Sequence, residues 1–206
     1  MNIILKSLNY LFNNQIALNR MSKNMVANND YCSKTIKSYK HYYLIDIEDV
    51  DFKALISNIK LQKNSSYIDY VYKHFKKGLV GRIMNKNDVF LFVPSDSRRF
   101  VERGFGLNEE LMNRFNVDGF NVVDALIKIR YTTNQSQIVD KNNRLKIIDK
   151  PPYALVNTSK LDNVDNIYLF DDISSSGGTL LSCAKVIKAS YPDINIIFLT
   201  LGSGKY

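Results

Sequence analysis

The sequence predicts an α/β protein: a central, mainly parallel sheet flanked by helices. Three observations carry that expectation. Residues 89–93, 167–170 and 194–201 are short, nearly continuous apolar runs, as expected of strands buried on both faces rather than of surface helices. Between them lie stretches with helical spacing, such as Ile68, Val71, Tyr72, Phe75 and Leu79, or Leu180, Leu181, Ala184, Val186 and Ile187. Strands alternating with helices build a parallel sheet. Finally, the run at 167–170 meets Asp171 and Asp172, then a hydroxyl and glycine loop, and only then the second helical pattern. In an open α/β sheet, that junction beyond the strand's carboxyl end is where ligands bind.

The front of the chain says least. Leu5, Leu8, Leu11, Phe12 and Ile16 are compatible with an amphipathic helix, and the Asn and Ser residues that follow, up to Lys40, suggest an irregular connection. Tyr42, Tyr43, Leu44, Ile45 and Ile47 read as a strand or core-packing stretch, and residues 52–60 as a short helix begun near Asp49 or Asp51. Asn64, Ser65 and Ser66 offer an N-cap for the longer helix that carries Ile68 to Leu79. We therefore expect a segment at 1–50, a helical hood or partner contact, ahead of a domain at 51–206.

Composition sets limits. Of the 206 residues 45% are apolar and 23% charged, values that argue against wholesale disorder. No run approaches the length of a membrane span, and the first residues lack the basic start and long apolar stretch of a secretory signal. With only Cys32 and Cys183, far apart, a Cys-rich zinc site is excluded for this chain alone, and a reduced, cytoplasmic setting is expected. The net charge of +8 is concentrated: Lys53, Lys60, Lys63, Lys73, Lys76, Lys77, Arg82 and Lys86 are opposed in their segment only by Asp69. Such a patch attracts nucleic acid or polyphosphate, or is a solvated helix face.

Pro94 ends the run at 89–93, and Ser95, Arg98, Arg99 and Arg103 follow at once. Three arginines in six positions beyond a buried strand suit a pyrophosphate clamp, because guanidinium grips phosphate oxygens in a fork. Glu109, Leu111, Met112 and Phe115 continue as a helix, and residues 120–130 hold a short strand and a helical turn in either order. Arg130 opens a polar stretch with Thr132, Thr133, Gln135 and Gln137, followed by Arg144, and this reads as a substrate-covering loop or an ordinary connection. Pro151 and Pro152 stop what precedes them, and residues 153–156 form a further strand. At the acidic pair, Ser174, Ser175, Ser176, Gly177, Gly178 and Thr179 form a cradle for an anion, with hydroxyl donors and helix-terminal N–H groups. Two carboxylates beside it fit a sugar phosphate, whose vicinal hydroxyls donate to them directly or through Mg²⁺. His41 and His74 fall outside these stretches and read as structural.

The run from Ile167 to Thr179 resembles the ribose 5-phosphate motif of type I phosphoribosyltransferases: apolar residues, an acidic pair, Val or Ile, a free position, two Ser/Thr, Gly, a free position, Thr. Pro94-Ser95, Arg98-Arg99, Glu102-Arg103-Gly104-Phe105 and Asn108-Glu109 are similar to the ComF family of phosphoribosyltransferase-like proteins, associated with competence and DNA uptake. Gly106 and Leu107 separate Asn108 from the Arg-Gly-Phe that it follows directly in that family. The similarity runs from about Leu55 to Leu201 and includes Leu55-Ile56 and Ile59-Lys60. The Cys-rich zinc module common at the family's front has no counterpart here, where Cys32 stands alone.

The resemblance implies a Rossmann-like type I phosphoribosyltransferase fold. It also implies binding of phosphoribosyl pyrophosphate or a nucleotide monophosphate with Mg²⁺. On it, Asp171, Asp172, Arg130 and Arg144 are the catalytic candidates, residues Ser174 to Thr179 hold the 5-phosphate, and Ser95, Arg98, Arg99 and Arg103 hold pyrophosphate. Mg²⁺ would be held mainly by ligand and water, with Asp171 and Asp172 as outer partners. The expected reaction is transfer of ribosyl 5-phosphate to a nitrogenous acceptor. The alternative is a catalytically silent ligand sensor acting in DNA uptake or another nucleic-acid process, with the basic segment as its contact. A homodimer is the default expectation.

Overall fold

A computed structural model describes residues 32–62, 65–79, 85, 87–130 and 151–204. Five strands form one sheet in the order β1-β2-β7-β6-β3. They are β1 (Cys32–Ile36), β2 (Tyr39–Asp46), β3 (Val89–Phe92), β6 (Asn166–Ser174) and β7 (Asn195–Ser203). From β2 across to β3 every pairing is parallel, with His41 opposite Phe198, Leu169 opposite Phe198 and Leu91 opposite Leu169. β1 alone runs antiparallel, so the sheet is mixed but mostly parallel. Among the described residues no helix is long and apolar enough to cross a membrane.

The apolar runs are buried on both faces, and their alternation sorts the core into two layers. Tyr168 and Phe170 of β6 join one cluster with Phe90, Phe92, Leu199 and Leu201. Ile167 and Leu169 join the other with Val89, Leu91, Ile196 and Phe198. The first face is covered by α1 (Val50–Gln62), α2 (Ser65–Leu79) and α4 (Leu107–Val117), through Phe52, Ile59, Ile68, Phe75, Leu111 and Phe115. Phe75 meets Phe115 and Phe170 edge-on, at centroid distances of 5.7 and 5.1 Å. The second face is covered by α5 (Gly178–Ser190) through Leu180, Cys183, Ala184 and Ile187. Each buried Leu, Ile or Phe among these contributes roughly 1.5–3 kcal/mol by leaving water, so the helices are held mainly by these faces. The N-cap reading holds at Asp49, whose Oδ1 accepts from the Phe52 N–H at 2.8 Å.

Four expectations are corrected. Residues 32–40 are not an irregular connection but β1 and the start of β2, a hairpin that adds the front of the chain to the sheet. Its tight turn uses Lys37 at φ 53 rather than a glycine or asparagine, so the usual turn signal is missing. β6 does not stop at Phe170 but continues to Ser174, because Asp171 pairs with Thr200 and Ser174 with Ser203 of β7. Residues 120–130 contain no helical turn. Phe90 N–H donates to the Asn121 carbonyl and Val123 N–H to the Phe90 carbonyl, so β3 satisfies that backbone in extended form. Finally, the strand expected at 153–156 is present as β5 (Tyr153–Leu155), but it stands outside the parallel sheet, pairing antiparallel with β4 (Leu126–Lys128) in a separate two-stranded sheet.

Candidate functional site

Parallel strands end together, and the carboxyl ends of β3 and β6 open into a cleft of about 380 Å³. Its floor is the junction of β6 with α5. All of Ser174, Ser175, Ser176, Gly177, Gly178 and Thr179 line it. Gly177, at φ 73, turns the chain into the helix. A Cβ there would also lie 2.8 Å from Cγ2 of Ile36 in β1, so a larger residue is excluded twice over. The loop is braced from behind by the Gly204 N–H, which donates to the Ser174 carbonyl at 2.9 Å. Gly204 has its own constraint, since a Cβ on it would stand 2.8 Å from the Ser175 carbonyl oxygen. The N-cap residue Gly177 brings no side-chain cap to α5, so the helix's first N–H groups and the positive end of its dipole suit an anion.

Beside this cradle, Asp171 and Asp172 both line the cleft. Oδ1 of Asp171 accepts from Nδ2 of Asn108 at 3.1 Å and from the Asp172 N–H at 2.9 Å. The same Asn108 amide donates to the Val93 carbonyl at 2.8 Å, tying α4 to the end of β3 and to the acid pair. Oδ2 of Asp172 is 2.5 Å from Nζ of Lys60 on α1. Burial, and secondarily the charge of Asp172, pushes the Asp171 carboxyl up to about 7, against the opposing pull of Asn108 and Lys60. Asp171 therefore keeps its proton to higher pH than an ordinary aspartate.

The opposite wall comes from the segment after β3. Asp96 caps α3 (Ser97–Arg103), accepting the Arg98 N–H at 3.1 Å. Arg103 lines the cleft, whereas Arg98 does not. The Arg99 side chain lies outside the described residues. Ser95 lines the cleft, but its N–H and Oγ both donate to the Glu109 carboxylate, at 2.8 and 2.6 Å. Its hydroxyl thus anchors the turn and retains only acceptor capacity. Arg130 stands outside the lining, its Nη2 donating to the Pro151 carbonyl at 3.0 Å. Arg144, Gln135 and Gln137 lie outside the described residues.

Sequence reasoning missed several contributors. Lys128 of β4 pairs with Asp96 at 2.7 Å, both largely shielded, on the cleft wall. Phe100, Phe105 and Tyr153 add aromatic surface there. Lys60 belongs in the sequence to the basic segment and to the family-like stretch at 55–60, with no site role expected of it. That segment is itself broken up by pairing: Lys53 with Glu48 at 2.9 Å, Lys60 with Asp172, and Lys76 with Asp118 at 2.7 Å. Lys73 and Lys77 are exposed, while Lys63, Arg82 and Lys86 lie outside the described residues. His41 is buried in the sheet, its Nε2 2.8 Å from Oγ1 of Thr200, and burial depresses its pKa to about 3. His74 packs on Tyr70, and neither histidine lines the cleft.

Among the described residues no group of three or more His, Cys, Asp or Glu could hold a metal ion. Two carboxylates, one ammonium-paired and one amide-bound, suit a metal that arrives already chelated by ligand oxygens and is met through its waters. No protein-family model matches this chain, and no curated protein matches it.

Proposed function

We propose that the protein binds phosphoribosyl pyrophosphate and transfers its ribosyl 5-phosphate to a nitrogenous acceptor, releasing pyrophosphate, as a ComF-like member of the type I phosphoribosyltransferases. The observation that carries this reading is a single cleft combining an uncapped, glycine-turned helix N-terminus with the paired carboxylates of Asp171 and Asp172. The 5-phosphate is received by residues Ser174 to Thr179, through N–H groups and hydroxyls. The ribose hydroxyls donate to Asp171 and Asp172. Arg103 faces the diphosphate from the far wall, with Arg98 and Arg99 on the same short helix and Arg130 and Arg144 assigned to the departing charge.

Cleavage of the bond from C1 to the diphosphate oxygen develops an oxocarbenium-like sugar and an anionic leaving group. The cleft contributes by fixing the ribose and neutralising that anion, and it needs no strong base. Mg²⁺, bound with the ligand, supplies further neutralisation of the diphosphate. Calorimetry with phosphoribosyl pyrophosphate and Mg²⁺ tests the site. The Asp171→Asn/Asp172→Asn variant is expected to lose at least about tenfold in affinity, roughly 1.4 kcal/mol. Unchanged affinity would remove the assignment. Pyrophosphate release across a panel of bases then tests transfer, and tight binding with no release from any acceptor would indicate ligand sensing instead.

A further inference from the structure

Lys60 reaches the site from an unexpected direction. It is the residue after fully buried Ile59 on α1, so that helix's packing on the sheet fixes where its side chain emerges. Nζ ends 2.5 Å from Oδ2 of Asp172, and the two side chains keep only 25% and 19% of their exposure. A pair shielded to this degree interacts more strongly than a surface ion pair. The neighbouring Asp171 has its own donors, Nδ2 of Asn108 and the Asp172 N–H. The cation that two adjacent carboxylates require is thus supplied by the protein.

We propose that Lys60 is a positioning residue that stands in for a divalent cation at the acidic pair, so that the cleft accepts a metal-free sugar phosphate and admits metal only as part of a ligand's diphosphate. An ammonium on Asp172 leaves other carboxylate lone pairs open to hydroxyl donors. It opposes a second cation by direct repulsion. Mg²⁺, which gives up its waters reluctantly, gains too little from two already-bonded carboxylates to displace it. The choice of ligand rests on the sugar-phosphate reading above, but the role of Lys60 does not.

Mn²⁺ alone is the first probe, followed by electron paramagnetic resonance with the full chain. Lys60→Met and Lys60→Gln are each expected to gain a Mn²⁺ site at least about tenfold tighter than the wild type, and adding Asp172→Asn is expected to abolish it. Lys60→Arg, which keeps the charge, should gain none. Mn²⁺ binding by the Met and Gln variants no tighter than wild type overturns the proposal, as does an equal gain in Lys60→Arg. Ribose 5-phosphate is the second probe. The wild type should bind it equally in chelator and in Mg²⁺, and Lys60→Met should lose about tenfold in chelator only. Wild-type binding that demands Mg²⁺ also overturns the role of Lys60. No ribose 5-phosphate binding in either condition removes the sugar-phosphate reading, and the Mn²⁺ titration still decides Lys60.

Discussion

Asp171 stands under opposed demands: burial and Asp172 favour its neutral form, while Asn108, Lys60 and the Asp172 N–H favour the carboxylate. Burial wins, and its folded pKa of about 7 lies well above the ordinary aspartate value, which the unfolded chain retains. Between those two values the native state holds a proton that the unfolded state has released. The stability linked to this group is therefore complete at acid pH and is lost as pH rises through about 7. Asp171→Asn removes that loss. Its melting temperature should exceed that of the wild type at pH 8 by at least about 2 °C, with the gap closing towards pH 5. Scanning calorimetry at the two pH values checks this, and a gap independent of pH would contradict it.

At the scale of elements, α3 is short and its two ends do different work. Asp96 holds the N-terminus and engages Lys128 of β4, while Arg103 in the last turn lines the cleft and Arg98 does not. Arg103→Ala should weaken inhibition or binding by pyrophosphate about tenfold, and Arg98→Ala by no more than about threefold, measured by competition calorimetry. Equal losses would show that both arginines serve the diphosphate. The contrast also marks what sequence can reveal. The β6–loop–α5 junction was legible because strand, acids, loop and helix are contiguous, and each residue type reports its own local requirement. Asn108, 63 positions from Asp171, and Lys60 on another helix stand in family-like motifs, but their contacts with the acidic pair arise only through packing, which no local pattern reports. The hairpin of β1 and β2 escaped for a different reason. Lys37 adopts the left-handed turn conformation that glycine or asparagine normally announces. Lys128 lies in a stretch whose apolar residues fit helix and strand alike, and pairing with β3 at its start and with β5 at Lys128 decides between them.

For the molecule as a whole, the concentrated positive charge is less available than composition suggests, because Lys53, Lys60 and Lys76 are engaged with acids. If the protein contacts single-stranded nucleic acid through α2, the exposed Lys73 and Lys77 carry much of it. Replacing both by Gln should reduce the slope of log affinity against log salt by about 1.4, since each phosphate neutralised on a single strand contributes roughly 0.7. Fluorescence anisotropy over a salt series measures this, and no wild-type binding at low salt would end the nucleic-acid reading. The strand order carries one more implication, in time rather than space. β7 follows every other described element in the chain, yet it lies between β2 and β6, and just past its end Gly204 braces the loop that begins at Ser174. During synthesis the two halves of the sheet must wait for it, with the apolar edges of β2 and β6 unpaired. Such long-range parallel pairing folds slowly and leaves the nascent chain open to aggregation until β7 has emerged.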